Sequence, residues 1–305
     1  MGILIRESVS TDIAARREAA LRKDRGGLGE VWRRLRKHRS AVGGGLWLVL
    51  VSLIAILGPF VYAVPHERID ILAPLAGPGP SHLLGTDESG RDVLARLIHG
   101  GRVSLLVGLV SALLAIGLGT LIGAVAGQFG GRTDAFLMRM TDTFMSVPVF
   151  FFLLMLLALF GGGLVVLVLG IGWTSWMGVS RVVRSEVLRH RGMEFVTAAR
   201  AVGVGDLRLL WRHLIPQAFP SIIVAATLGV AHAILAETAL SYLGIGIRAP
   251  LPSWGNMLSN AQNYMWSAPY LAIYPGLLIM LTVLALNIFG DGLRDALDPQ
   301  LSNEV

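Results

Sequence analysis

The chain has no cysteine and only two lysines among its 305 residues, and charged residues make up 15% of it. Each scarcity excludes something. Without cysteine there are no disulfides, no thiolate-held zinc or iron–sulfur centre and no thiol nucleophile. Lys23 and Lys37 are followed by Asp24 and His38, so a phosphate-cradling GxxxxGK[ST] loop is impossible and the chain does not bind ATP in that way. Soluble chains carry about 25% charged residues; here 54% of residues are hydrophobic and the mean hydropathy is +0.65. A chain of that balance takes lipid as its solvent.

Catalytic signatures fail as well. His66-Glu67 begins like a zinc-protease motif, but HExxH requires histidine where Asp70 stands. There is no GxSxG elbow, and the seven histidines are scattered without ligand-like spacing. The segment Asp87–Asp92 lacks the alternating oxygen ligands and terminal glutamate of a calcium loop. No catalytic residue, resident cofactor or metal ligand is assigned.

Long apolar runs are what the chain does have. Ala41–Val64 is the first charge-free stretch able to cross about 30 Å of hydrocarbon. Val103–Gly127 is the second, and Ala135–Ser180, interrupted at Gly161-Gly162-Gly163, is long enough for two more. A fifth runs from Phe219 to Gly244 and a sixth from Pro269 to Phe289. The fold expected is an all-α integral membrane protein with six transmembrane helices. Its segments are 1–40, the first span at 41–64, a loop at 65–102, a five-helix core at 103–292 enclosing a long loop at 190–216, and a tail at 293–305.

With the N-terminus cytoplasmic, twenty basic residues fall on the inside and four outside, Arg68, Arg91, Arg96 and Arg248. The positive-inside rule therefore puts both termini in the cytoplasm. The same count accounts for the net charge of +6 without nucleic acid, since the arginines flank spans and no nucleic-acid motif interleaves them. The N-terminus reads as neither a signal peptide nor a myristoylation site, the latter because Arg6 replaces the required Ser or Thr. Residues 31–39, VWRRLRKHR, read as a juxtamembrane segment on anionic headgroups of the lipid membrane.

Ionisable groups inside spans are costly and often functional. Arg139 and Asp142, three apart, share a helical face and are expected to pair. Glu237, five residues after His232, is open to three readings: a proton carrier, a substrate contact or a buried acceptor satisfied by a neighbouring helix. Ser111, Ala115, Gly119, Gly123 and Gly127 form a small-xxx-small ladder, which marks a helix–helix interface within the subunit or with a partner.

The longest inside loop reads helix, stop, helix. Met193–Val202 carries Phe195, Val196, Ala199 and Val202 at helical spacing, and Gly203 can supply the left-handed stop. Asp206 is placed to cap a following helix bearing Leu207, Leu210, Trp211 and Leu214 toward Pro216.

Thr197-Ala198-Ala199, Gly203 four residues on and Ile215-Pro216 twelve further resemble the EAA loop of ATP-binding-cassette importer permeases, EAA-x3-G-x9-I-x-L-P. Thr197, His213 and Ile215 stand where Glu, Ile and Leu are usual. Three more phrases, HLLGTDESGRDVLARLIHGGRVSLLVG at 82–108, SYLGIGIRAPLPSWGNML at 241–258 and GDGLRDALDPQ at 290–300, make the chain similar to the C-type permease of the dipeptide/oligopeptide/nickel group. The 85–100 stretch would cap at Thr86 or Asp87 and continue as a helix on the outer membrane–water boundary.

The resemblance implies a type I importer permease fold in the bacterial or archaeal plasma (inner) membrane. It further implies a homologous B-type permease partner, two ATPase subunits that bind ATP and magnesium, and an extracytoplasmic solute-binding protein. Glu194, Thr197, Ala198, Ala199, Gly203, Ile215 and Pro216 would couple to the ATPases, and Glu237, His232 and Asp142 would be pathway or buried polar groups. Peptide is the expected cargo. The rival reading is a proton-coupled secondary transporter using Glu237 and His232, which would need inverted repeats and a broken helix at mid-membrane.

Overall fold

The computed structural model describes residues 28–297. Expectations for residues 1–27 and 298–305 lie outside that range. Among the described residues the regular structure is helical, with two isolated antiparallel bridges, Ile69 with Arg91 and Thr86 with Asp92.

The helices are α1 Leu28–Lys37, α2 Arg39–Val61, α3 Val93–Phe129, α4 Gly131–Met145, α5 Val149–Phe160, α6 Leu164–Arg191, α7 Glu194–Ala201, α8 Asp206–Leu209, α9 Ile215–Tyr242, α10 Trp254–Ala261 and α11 Tyr270–Leu297. Five stretches, α2, α3, α6, α8 running into α9, and α11, are long and apolar enough to cross a membrane; α4 and α5, bent by 74° at their junction, make a sixth if taken as one span. The bend follows from Pro148. It has no N–H and forces the preceding residue out of the helical region, so α4 ends and α5 restarts beyond it. The break between α5 and α6 falls on the glycine triplet. Gly161 has φ +85°, and a Cβ on Gly162 would lie 2.7 Å from the Gly246 carbonyl oxygen.

Leu46, Val49, Leu53, Ile56 and Leu57 on α2 are exposed although apolar, as lipid-facing positions should be. Inside, the Ser111–Gly127 ladder seats α3 against α6. A Cβ on Gly119 would come within 2.6 Å of Val179 Cβ, and one on Gly127 within 2.8 Å of Val187 Cγ1. Ser111 Oγ donates to the Val168 carbonyl at 3.1 Å, and Ala115 is buried beside it. The interface is thus within the chain.

Two boundaries differ from expectation. The 85–100 stretch is not a separate interfacial helix: α3 starts at Val93 and runs unbroken for 37 residues, about 55 Å at 1.5 Å per residue. Its cap is Asp92, whose carboxylate accepts from the Ala95 N–H at 2.8 Å. Thr86 and Asp87 are spent on the preceding loop instead, the former bonded to Ala76 and Ala73 and the latter to the Ser89 and Arg91 amides. At the other end α11 continues to Leu297, so the limit placed at 292/293 lies inside a helix. Within α1, Leu35 is buried with Ala41 and Ala296, while Trp32 stays half-exposed under the Arg36 guanidinium, 5.0 Å from its ring centre.

Candidate coupling and pathway sites

The loop between α6 and α9 folds as a rigid hairpin. Helix α7 ends where the Val202 N–H bonds back to Ala198 O at 3.2 Å, Gly203 takes φ +85° with its N–H on Arg200 O, and the Val204 N–H reaches Ala199 O at 3.1 Å. A left-handed residue at that place lets the chain reverse, and glycine adopts it without a Cβ penalty. Asp206 does not cap α8: Gly205 holds that position and Asp206 is the first helical residue. Its carboxylate accepts from Gln128 Nε2 at 2.8 Å and from Arg200 at 3.4 Å. The hairpin is thereby tied to the end of α3.

The apolar faces also divide differently from the expected stripes. Val196 is fully buried with Val187, Leu209, Leu210, Leu214, Ile215 and Ala218, and Ala199 and Val204 pack on that cluster. Phe195, Val202, Leu207 and Trp211 point away, exposed at 38, 82, 64 and 58%. A π turn at Leu210–Leu214 separates α8 from α9. Of the apolar residues read from sequence on this second helix, Leu210 and Leu214 are buried together with Leu209, while Leu207 and Trp211 stay exposed. Glu194, Thr197, Ala198 and Pro216 are exposed, Ile215 buried. Behind the hairpin, Arg184 grips Asp134 through two bonds of 2.5 and 2.6 Å, Arg191 donates to the Gly127 carbonyl and Ser221 to Glu186. Residues 193–204 are therefore a small rigid knob on a braced base, with an uncovered apolar surface.

Asp142 does not pair with Arg139. Its carboxylate accepts from Arg181 on α6 at 2.5 Å, with both side chains about half-exposed. Ser180 lies opposite Gly123, so this pair stands inside the apolar stretch that ends at Gly127. Thr143 and Ser146 on the same segment are exposed too.

Glu237 is completely buried. Ser104 Oγ donates to one carboxylate oxygen at 3.0 Å and Ser241 Oγ to the other at 2.7 Å. Those hydroxyls accept in turn from the Trp254 and Ile247 amides. One side chain thus joins α3, α9 and the α9–α10 connection, which is the third of the readings open from sequence. His232 is exposed on another side of α9, with Nδ1 2.8 Å from the Leu228 carbonyl oxygen. The two residues proposed as a proton pair are not brought together.

Sequence reasoning missed the capping box at α10, where Ser253 and Asn256 exchange side chain and backbone bonds. Ser253 as an N-cap was a readable signal, whereas Asn256 departs from the Glu or Gln usual at the third helical position. It also missed the lock at the far end from the hairpin: Asp92 Oδ2 lies 2.9 Å from both Tyr62 Oη and His82 Nδ1. Burial and then that hydrogen bond push the Tyr62 phenol up to about 12. Burial, followed by the neighbouring His99 ring at 4.3 Å, lowers the pKa of His66. Nothing in the linear spacing of Tyr62, His82 and Asp92 announces this convergence.

The described helices form a bundle with five or six apolar spans and a braced hairpin between α6 and α9. Residues 119–303 match the family described as binding-protein-dependent transport system inner membrane component, and residues 28–78 match the N-terminal TM domain of oligopeptide transport permease C. The di/tripeptide transport system permease protein DppC of Pseudomonas aeruginosa is 40% identical over 282 residues, covering 90% of this chain and 93% of the relative. The oligopeptide transport system permease protein OppC of Haemophilus influenzae is 38% identical, covering 88% and 87%. The glutathione transport system permease protein GsiD of Pectobacterium atrosepticum is 36% identical, covering 90% and 91%. The chain belongs to the binding-protein-dependent inner-membrane permeases of ATP-binding-cassette importers, and within them to the C-type dipeptide/oligopeptide subunits. It is a multi-pass inner-membrane protein with the type I importer permease fold.

Proposed function

We propose that this permease forms half of a peptide translocation path and is driven through its α7 hairpin by two ATPase subunits that bind ATP and magnesium. The observation that carries this reading is the hairpin itself: Phe195 and Val202 lie uncovered on a knob whose base is braced by Gln128–Asp206 and Arg184–Asp134. Fully burying a large apolar side chain is worth about 1.5–3 kcal/mol, so a groove closing over these two helps to hold the knob. The bracing then transmits its displacement to α3, α6 and α9 instead of dissipating it in the loop. Motion of this kind needs different contacts in two states, which nucleotide binding by the partners supplies.

The charge asymmetry puts the hairpin, like both termini, in the cytoplasm. The loops around Tyr62, His82 and Asp92 then face a solute-binding protein outside. The exposed Asp142–Arg181 pair with Thr143 and Ser146 cannot face hydrocarbon cheaply. Those groups of α4 and α6 are assigned to the path shared with a B-type sister permease. Relatives named for di/tripeptides, oligopeptides and glutathione support a peptide cargo.

The test is Ala198→Trp in the reconstituted importer. Ala198 is exposed, so the chain should fold and assemble. Cargo-stimulated ATP hydrolysis and uptake should fall about tenfold or more, the equivalent of 1.4 kcal/mol of lost docking. Uptake at the wild-type rate would remove the coupling role from α7.

A further inference from the structure

Pro59 lies inside α2. A proline has no N–H, so the Ala55 carbonyl one turn earlier loses its helical donor. Arg102 on α3 takes that place: Nε donates to Ala55 O at 2.7 Å and Nη2 to Ile56 O at 2.8 Å. The guanidinium stands 5.9 Å from the centre of the exposed Phe60 ring. Two of its five N–H groups are used, and three remain on a partly exposed cation.

Beside this contact a cleft of about 360 Å³ opens between α2, α3 and α11. Ala55 and Gly101, which flank the Arg102 contact, belong to its wall, together with Val51, Ile54, Leu97 and Leu277. No polar atom is exposed along it, because the two indole N–H groups that border it turn away, Trp47 to Thr282 and Trp254 to the Leu97 carbonyl. From the level of Ala55 it reaches Trp47, eight residues back along α2, or about 12 Å.

Water finds no partner in such a space, and its open side lies among lipid-facing helices. The cleft runs from Leu84 and Leu94 past Ala55 and Gly101 to Trp47 and Leu281, and a cation beside such an apolar slot is complementary to a molecule with an anionic head and a hydrocarbon tail. We propose that Arg102 and this cleft bind one membrane phospholipid, its phosphate on the free guanidinium N–H groups and one acyl chain between α2 and α11. The planar fork of arginine suits a phosphate better than an ammonium does. An arginine partly exposed within a span needs an anion or water to offset its desolvation. The site is independent of the coupling role of α7.

The assembled importer in nanodiscs of phosphatidylglycerol and phosphatidylethanolamine, transferred to detergent and weighed by native mass spectrometry, should retain one phospholipid per copy of this chain. Leu277→Trp, at a position already 46% exposed, should fill the slot and abolish that retention while leaving assembly intact. Arg102→Gln should lower it about tenfold, the loss of one charge-assisted contact. Equal retention by wild type and both variants would overturn the proposal. Because the chain has no native cysteine, Ile54→Cys can carry a single photo-crosslinker. An adduct with phospholipid supports the assignment, and an adduct with another protein chain refutes it.

Discussion

The α3–α6 seam and the α7 hairpin are joined through the Gln128–Asp206 bond, yet they treat their side chains in opposite ways. Along the seam small residues let two backbones touch: Gly119, Gly123 and Gly127 lie against Val179, Ser180 and Val187, and Glu237 on α9 has both oxygens satisfied. On the hairpin the turn is closed by backbone hydrogen bonds while two large apolar side chains, Phe195 and Val202, stay in the open. The difference separates what holds this chain together from what it offers to others. In a protein whose solvent is lipid, apolar exposure along the spans says little. The same exposure on an aqueous loop points to a partner.

Four substitutions at three positions sharpen or break that contrast. Gly123→Leu should have the largest effect, because its Cβ would run into the backbone of Ser180 and Arg184 on α6, where no side chain can move aside. Overpacking of this kind costs about 1–3 kcal/mol and more where backbone must shift. The expected readout is loss of the full-length chain from the assembled complex, and a normal yield would break the claim that the seam is closed.

Next is Glu237. Replacement by Leu leaves the Ser104 and Ser241 hydroxyls buried without their acceptor, at about 1–3 kcal/mol for each unpaired group, and should lower the thermal midpoint in detergent. Glu237→Gln restores one acceptor and should cost about 1 kcal/mol, with uptake per assembled complex unchanged between about pH 6 and 8. Uptake that collapses in the Gln variant without loss of assembly would restore the proton-carrying reading of Glu237. The smallest effect is expected for Asp142→Asn. An exposed ion pair contributes about 0–1 kcal/mol, so stability should hardly change, while uptake of charged and uncharged peptides should diverge if the pair faces the path. Uptake unaltered for every peptide would remove Asp142 from it.

The hairpin was legible in outline because its signals are local. Gly203 as the left-handed stop needs only a helical pattern followed by glycine, and the structure places φ +85° there. The faces were not legible, since which apolar residues of 206–214 turn inward depends on how the hairpin packs against α3 and α6. The start of α3 was misplaced for a related reason. Thr86, Asp87 and Asp92 are all able to cap a helix, and the choice fell to Asp92 only because the other two are occupied by the loop.

By itself the sequence determined that the chain lives in lipid, how many apolar stretches could cross it, where the small-residue seam lies and where the hairpin after α7 turns. These depend on hydropathy, spacing and glycine's backbone freedom, which act over a few residues. The tertiary structure alone decided that Asp142 meets Arg181 and not Arg139, that Glu237 meets Ser104, and that Arg102 supplies the donor Pro59 removes. Each of these joins groups whose distance along the chain carries no information about distance in space. A buried or half-buried polar atom takes whichever partner the packed helices bring within hydrogen-bond reach.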